Sequence, residues 1–476
     1  MDYNLLDEDW IPVLYRDGQW DRVGIRRALK DAGRIRQIAA SSPMDRVAIV
    51  RFLLALLYWC RGNPPTKADA AESDPPWSNW LRKLDGQRAC FNLLGDGKRF
   101  YQCLHSAKSA KKLSANYLVH EVPTGTNAWH FRHATDASDG LCPACCAVGL
   151  LRLPLFATSG GRGKPPGINA KPPLYVIPVG KSLAATLRLS WSKASCLGTP
   201  AWEEPDIGLP THGEVPLLTG LTWLPRRVWL DSPDEPRANC ISCGNKDRLI
   251  RHCVFAGLGS TKTDKESPAR VWRDPHVIYD DSGKSQVTSL HASNALDAND
   301  AAAGQWARMM AGIVRKNEAH EGVDAWVVGF STVQNDKYLE ATEWFFPSPG
   351  STEQVEPFIR KIEQWQKDSL ARRCRPREGS STRKHREILA AIAAVRPHVE
   401  NTVSAKARHL LAERDEGWEE AAHQYGPMMQ SIAQSLSPGF TTAALERRRQ
   451  IARVMPDMRP PAQPSEKSRR NKGDAK

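Results

Sequence analysis

The 476-residue sequence has no apolar run long enough to cross a membrane. Its longest such run, Val47 to Cys60, contains Arg51 and falls short of the roughly 20 residues that a spanning helix needs. It predicts a buried helix instead. The N-terminus is acidic and leads into no apolar signal core, and the mean hydropathy is −0.49. We therefore expect a soluble, cytoplasmic protein without a membrane partner.

Common signatures of catalytic sites are also missing. His120-Glu121 and His320-Glu321 lack the second histidine of a zinc protease, and no Gly-x-Ser-x-Gly or His-Asp pair occurs. Trp272-Arg-Asp-Pro-His276 contains reactive residue types, but a proline-flanked turn of this kind favours a structural role. These absences indicate a binding protein rather than an enzyme.

Cysteine is present in an odd number, 11, which fits a reducing compartment and argues against a disulfide framework. Two pairs have the two-residue gap in which a tight turn directs both thiolates at one tetrahedral metal ion. The sequence therefore predicts a closed, structural zinc site, and inert buried thiols are the alternative. The predicted ligands are Cys142, Cys145, Cys240 and Cys243, with Cys146 as an alternative to Cys145 and with His252 and Cys253 in reserve.

The net charge of +13 is concentrated near the C-terminus. From Arg360 to Arg386, ten Lys or Arg residues stand against three Asp or Glu residues, and from Ala444 to Lys476 ten stand against four. A basic region next to a near-neutral body suggests contact with a polyanion, most plausibly the phosphates of a nucleic acid. A solvated helix face followed by a disordered tail is the alternative.

The pattern of the chain changes near residue 350. Before it, Gly and Pro interrupt short strand-like runs such as Leu174 to Val179 and Trp326 to Phe330. After it, apolar residues recur at three- and four-residue steps, which predicts a helix bundle. The predicted fold is α+β: an irregular, zinc-stapled α/β domain at 1–350, a helix bundle at 351–456 and a basic disordered tail at 457–476.

Residues 158–167, here called the glycine segment, follow the first cysteine pair. They do not form a Walker A loop, because Thr158 and Pro165 stand where glycine and Ser or Thr are required. Glycines flanked by cations can lay their backbone against phosphate or into a narrow groove. The candidate DNA-contact residues are Gly160, Gly161, Arg162, Gly163 and Lys164, and an ordinary surface loop is the alternative.

Several motifs, in order, resemble the CasA family, the large subunit of the type I-E CRISPR surveillance complex Cascade. The opening Asn4-Leu5-Leu6 and Trp10-Ile11-Pro12-Val13 is similar to the family's start. The two cysteine pairs, the glycine segment, the Trp272–His276 turn and Gly329-Phe330 leading to Gln334 match in sequence order. The similarity covers nearly the whole chain and implies that the C-terminal bundle has four helices.

The resemblance implies a non-catalytic subunit that reads the protospacer-adjacent motif in duplex DNA through the minor groove and starts R-loop formation. The glycines would face the groove, Gln334 would wedge beside the first unpaired base, and Lys262 or Lys265, in a charged loop at 260–266 (the lysine segment), would enter the groove. Implied partners are the other Cascade subunits with crRNA, the target duplex, its displaced strand and the helicase-nuclease. Two other functions stay open: a zinc-dependent nuclease, or a zinc-stapled scaffold without DNA contact.

Overall fold

The computed structural model describes residues 3–64, 81–103, 112–119, 140–157, 165–169, 175–258, 271–277, 324–333 and 337–346. The chain divides into two compact units, one of Met1–Ser289 with Trp326–Trp344 and one of Leu290–Ala325 with Phe345–Lys476. Nearly all described residues belong to the first unit. The predicted bundle at 351–456 and tail at 457–476 lie outside the described residues, so the domain boundaries stay predictions.

Helices and strands both contribute to the first unit. The α-helices of the described ranges are α1 Ile25–Lys30, α2 Pro43–Arg61, α3 Arg82–Gly86, α4 Pro143–Phe156, α5 Leu183–Leu189 and α6 Leu217–Thr222, with 3-10 turns at Arg88–Phe91 and Ala115–Leu118. None of these helices is both long and apolar enough to span a bilayer.

Helix α2 is the buried helix that the apolar run predicts. It begins at Pro43, where the missing N–H of proline costs no hydrogen bond, and ends at Arg61, after which Gly62 caps it with a φ of +83° that suits glycine. Side chains on every face of it are buried, and these include Arg51, which is only 2% exposed. A helix surrounded in this way forms the centre of the core.

Short strands form several small sheets. The strands are β1 Ile11–Tyr15, β2 Trp20–Val23, β3 Ile35–Ile38, β4 Lys112–Ser114, β5 Tyr175–Val179, β6 Arg227–Leu230, β7 Asp234–Asn239, β8 Lys246–Leu249, β9 His252–Ala256, β10 Asp324–Val333 and β11 Lys337–Phe346. The sheet orders are β2-β1-β3, β11-β10-β5, β4-β9-β6 and β7-β8. The two predicted strands are confirmed as β5 and as part of β10.

Antiparallel registers fix several of these sheets. Strand β1 pairs with β2 through Ile11 and Val23, and β9 pairs with both β4 and β6. Antiparallel pairing agrees with the predicted α+β class. It differs from the α/β description of the domain at 1–350, since α/β folds use parallel strands.

Aromatic residues from distant parts of the chain pack on α2. The rings of Phe52 and Phe100 meet edge to face with centroids 5.4 Å apart, and Phe52 meets Trp202 at 5.8 Å. Trp10 lies 6.1 Å from Phe52. Edge-to-face pairs are favoured because a ring's positive edge meets its neighbour's negative face. This cluster fixes the N-terminal sheet and residues 200–202 to one helix.

Helix α4 packs against α2 and carries the first cysteine pair at its start. The two helices are joined by an ion pair between buried Arg152 and Asp45. Gly149 allows a close approach on another face, since a Cβ atom there would lie 2.6 Å from the Cβ of Leu118. These contacts fix the orientation of α4 in the first unit.

Candidate metal centre

The two distant cysteine pairs meet at one point. The sulfur atoms of Cys142, Cys145, Cys240 and Cys243 all lie within 4.8 Å of one another. The Cys142 and Cys243 sulfurs are 3.7 Å apart. Tetrahedral zinc–sulfur bonds of about 2.3 Å require sulfurs separated by about 3.8 Å, so the cluster has the size of a four-thiolate site.

The first pair lies at the start of a helix, and the expected tight turn is absent. Cys142 caps α4 and Pro143 occupies its first position, so Cys145 falls within the first turn. Residues three apart on a helix share a face, which brings both sulfurs to the same side. The helix N-terminus also favours thiolate over thiol. The backbone N–H of Cys142 donates to the Cys240 sulfur at 3.3 Å.

The second pair lies in the turn between β7 and β8, as predicted. The N–H of Gly244 donates to the carbonyl of Cys240 at 2.8 Å, and Gly244 has a φ of +74°. An antiparallel bridge between Leu141 and Ile250 holds the two halves of the site together. Gly140 passes so close to this bridge that a Cβ atom would lie 2.6 Å from the Ile250 oxygen.

The alternative ligands lie outside the cluster. Cys146 is buried and directs its sulfur at the carbonyl of Leu141, 4.0 Å away. Cys253 directs its sulfur at the carbonyl of Ser114, and His252 is exposed on β9. Among the described residues, Cys145 is therefore the partner of Cys142.

Hydrogen bonds among the four thiols lower the pKa of some of them and raise the pKa of others. Donation from Cys142, Cys145 and Cys240 moves the pKa of Cys243 well below its ordinary value. Donation from Cys142 and Cys145 lowers the pKa of Cys240 to about 6. The same contacts, with burial, raise the pKa of Cys145. The second pair is thus ready to bind as thiolates, and a bound cation would displace the protons of the first.

Arg22 adds positive charge beside these sulfurs. Burial acts to lower the pKa of Arg22, but a hydrogen bond to Cys243 and attraction to Cys243, Cys145 and Cys142 raise its pKa overall. The guanidinium also lies 5.8 Å from the ring centroid of Trp20, which is 57% exposed. Both residues line a cavity of about 270 Å³ beside Cys145 and Cys243. Nothing in the local sequence around Arg22 indicates this role.

The four sulfurs can hold a metal ion, and they would fill a tetrahedral coordination shell completely. Four thiolates form the donor set of structural zinc sites, whereas catalytic zinc keeps one position open. The described cluster therefore fits the predicted structural role.

The predicted DNA-contact residues lie outside the described residues. They are Gly160, Gly161, Arg162, Gly163, Lys164, Lys262, Lys265 and Gln334. The structure describes the chain that leads into and out of the segments that carry them.

The ends of the glycine segment are fixed. Helix α4 ends at Phe156, and the N–H of Gly167 donates to the carbonyl of Ala157 at 2.7 Å. Arg226 donates to the carbonyl of Pro165. Burial lowers the pKa of Arg226 to about 10, which still leaves it charged at neutral pH. Both ends of the segment are therefore held against the first unit.

The chain that follows the lysine segment starts at the surface, where Val271 is exposed, and becomes buried at Asp274. The N–H of Val271 donates to the carbonyl of Gly213 at 2.8 Å. Trp272 packs on Gly220, where a Cβ atom would lie 2.1 Å from its ring. Asp274 and His276 are almost fully buried, and Asp274 forms an ion pair with Arg51 of α2. This placement supports the predicted structural role of the Trp272–His276 turn.

Gln334 directly follows β10 in the sequence. Near the other end of that strand, the Trp326 indole N–H donates to Glu343 of β11 at 2.9 Å. Arg46 of α2 donates to the same carboxylate at 2.7 Å and lies 5.1 Å from the Trp326 ring centroid. These contacts attach strands β10 and β11 to helix α2.

Comparisons with known proteins identify relatives of the whole chain. The family model described as CRISPR-associated protein Cse1 matches residues 4–454. The CRISPR-associated protein CasA/Cse1 of Thermus thermophilus is 28% identical over 329 residues, which are 61% of this chain and 63% of the relative. The chain thus matches less than two thirds of that relative's length.

Solved structures share the fold. A crystal structure of CasA from Thermus thermophilus aligns with a TM-score of 0.65 at 20% identity, over 96% of this chain and 99% of that one. A chain of a CRISPR RNA-guided surveillance complex aligns with a TM-score of 0.63 at 14% identity, over 95% of this chain and 98% of that one. The mixed helix and strand architecture is therefore shared along nearly the full length.

Proposed function

The chain belongs to the CRISPR-associated protein Cse1 family, and from that premise we propose that it is the non-catalytic large subunit of a type I-E Cascade complex. In this role it recognises the protospacer-adjacent motif in duplex DNA and separates the first base pairs. Guide RNA then pairs with the opened strand. Family membership over residues 4–454 is the observation that carries the proposal.

Zinc has a structural role in this proposal. Bound by Cys142, Cys145, Cys240 and Cys243, it would supply a cross-link between the start of α4 and the β7–β8 turn. Helix α4 has 14 residues, a length of about 21 Å, and the glycine segment begins just beyond its end. The metal therefore braces one end of a helix whose other end leads to the DNA.

Minor-groove readout suits the residues assigned to it. The minor groove distinguishes A·T from G·C pairs but presents nearly the same groups for A·T and T·A. A site made of a glycine backbone, Lys262 or Lys265, and one amide would therefore accept several motifs. Opening the first step costs about 1.4 kcal/mol of stacking, which an inserted Gln334 and phosphate contacts can offset. We therefore expect this chain to recognise several different short motifs.

The partners follow from the same proposal. The structural relative is a chain of an RNA-guided surveillance complex, and we propose that this chain likewise assembles with the other Cascade subunits and crRNA. The basic region beyond residue 350 would hold the displaced strand by its phosphates. The same subunit would later dock the helicase-nuclease.

Two other functions are less well supported. A zinc-dependent nuclease needs an open metal position, which four thiolates do not leave. His276, the residue most suited to such a role, is buried beside Arg51. A scaffold without DNA contact predicts no salt-dependent duplex binding, whereas the proposed function predicts binding that weakens steeply as salt rises.

The wedge assignment is testable with Gln334→Ala in the assembled complex. We expect guide-dependent opening of the target, read by permanganate reactivity of thymines next to the motif, to fall about tenfold because the first step loses its inserted side chain. Complex assembly should be unchanged. Gln19→Ala is the matched control, since Gln19 is an exposed glutamine between β1 and β2. Target opening equal to that of Gln19→Ala would refute the wedge.

A further inference from the structure

A buried carboxylate joins three parts of the described chain. Asp274 is 3% exposed and accepts two hydrogen bonds from the Arg51 guanidinium, at 2.5 and 2.7 Å. It also accepts from the Asn169 side chain at 2.9 Å and from the backbone N–H of His276 at 3.0 Å. The carboxylate is therefore surrounded by donors.

Asp274 and its two side-chain donors come from three different parts of the sequence. Asn169 lies two residues beyond the glycine segment, and Asp274 lies eight residues beyond the lysine segment. Arg51 belongs to α2, the centre of the core. The two segments, more than 90 positions apart in the sequence, are thus tied to one buried point.

Tyr175 extends this network to the sheet formed by β5, β10 and β11. The Asn169 side chain lies 3.2 Å from the Tyr175 hydroxyl, and the Arg51 guanidinium lies 5.1 Å from the Tyr175 ring centroid. Tyr175 begins β5, which neighbours β10, and Tyr175 also bridges to Val277. Strand β10 leads to Gln334.

A buried ion pair is a costly way to stabilise a fold. Removing two charges from water offsets much of their attraction, and apolar residues of similar volume often stabilise as well. Such pairs do, however, impose one geometry, because only a fully satisfied arrangement avoids an unpaired buried charge. Burial acts to raise the pKa of Asp274, but Arg51 and the hydrogen bonds lower it overall, so the carboxylate is ionised at neutral pH.

We propose that Asp274 is a positioning residue that holds the chain beyond the glycine segment and the chain beyond the lysine segment in one fixed arrangement, so that both segments meet the duplex as a unit. The use of the two segments on DNA rests on the proposed function. The mechanical coupling between them does not, and it can be measured without DNA.

Hydrogen exchange followed by mass spectrometry tests the coupling. In Asp274→Asn, peptides covering 165–169 and 271–277 should both exchange about tenfold faster, because the amide cannot satisfy Arg51. Asn169→Ala removes the side-chain hydrogen bond to Asp274 and leaves the Arg51–Asp274 ion pair in place. It should increase the exchange rate of both peptides by about threefold. Gln102→Ala is the control: this amide is also buried and hydrogen-bonded, to Leu93 and Leu230, and should change neither peptide.

Faster exchange confined to 271–277 in Asp274→Asn, or confined to 165–169 in Asn169→Ala, would overturn the coupling. If Asp274→Asn does not fold, Asn169→Ala decides alone. Duplex affinity of the complex carrying Asn169→Ala is measured in parallel and should fall about threefold. Coupled exchange with unchanged duplex affinity would overturn the statement that the two segments meet the duplex as a unit, and would leave the proposed function intact. Absence of duplex binding by the wild-type complex would contradict the proposed function and leave the coupling measured by exchange intact.

Discussion

The metal centre depends on single sulfur atoms that lie far apart in the chain, since Cys142 and Cys240 are separated by 98 positions. In the proposed zinc site each would supply one of four bonds to the metal, and a serine hydroxyl is a poor substitute for thiolate at zinc. The loss of either residue should therefore have the same effect as the loss of the metal.

We predict that Cys142→Ser and Cys240→Ser both purify without zinc and lose on the order of 3 kcal/mol of unfolding free energy or more. Elemental analysis and thermal unfolding measure the two effects. Cys196→Ser is the control, because Cys196 is an exposed thiol outside the cluster. Freshly purified wild-type protein without any bound metal would end the zinc assignment.

Arg22 should make the bound metal more persistent. Zinc with four thiolates has a net charge of −2, and a neighbouring guanidinium that bonds to Cys243 would balance part of it. We predict that Arg22→Ala releases zinc to a chelator about tenfold faster, with Arg22→Lys in between.

Arg36→Ala is the matched control for Arg22, since Arg36 is exposed on β3 of the same sheet. The absorption spectrum of the cobalt-substituted protein should be the same in all three variants, because the four sulfurs are unchanged. Equal release rates for Arg22→Ala and Arg36→Ala would disprove the charge-balancing role.

At this scale the sequence predicts ligands better than their surroundings. The spacing of the two cysteine pairs predicts the four thiols with Cys146 as an alternative to Cys145, and the structure brings Cys145 to the other three. Arg22 and Asp274 act through partners distant in sequence, and no local pattern marks such contacts. Arg51 did carry a signal, as a lone charge within an apolar run.

Among the elements, α4 connects the metal centre to the glycine segment, and its packing sets that connection. Gly149 lies against Leu118, where a Cβ atom would be 2.6 Å from the leucine Cβ. Alanine is intrinsically the better helix former, by about 1 kcal/mol. If alanine at position 149 destabilises the protein, the cost of its contact with Leu118 must be larger than this gain in helix propensity.

We predict that Gly149→Ala lowers the unfolding free energy by about 1–3 kcal/mol, measured by urea denaturation. Gly86→Ala in α3 is the control, because a Cβ atom there meets open space, and it should be neutral or slightly stabilising. Equal midpoints for the two variants would mean that α4 can shift freely away from Leu118.

Apolar patterns explain which elements the sequence predicts. Helix α2 and strands β5 and β10 stand out as apolar or β-branched runs. Helix α4 is harder to foresee, since Pro143, the cysteine pair and an interior Pro154 are typical of turns. Strand β7 has the mostly polar sequence DEPRAN and is largely exposed, so it is held by pairing with β8 rather than by burial.

For the whole molecule, the family resemblance predicts more than the local patterns do. The order of weak motifs along the chain identifies the family, and the match over residues 4–454 confirms it. The domain boundaries and the DNA-contact residues remain predictions, because the residues assigned to them lie outside the described ranges. Their roles depend on partners that a single chain does not contain.

We propose that this chain opens duplex DNA with its glycine segment and Gln334. A density map of the assembled complex bound to a target duplex tests this most directly. We expect the glycine segment, residues 158–167, in the minor groove at the recognised motif and Gln334 against the first separated base pair. A map in which both lie away from the duplex would contradict it.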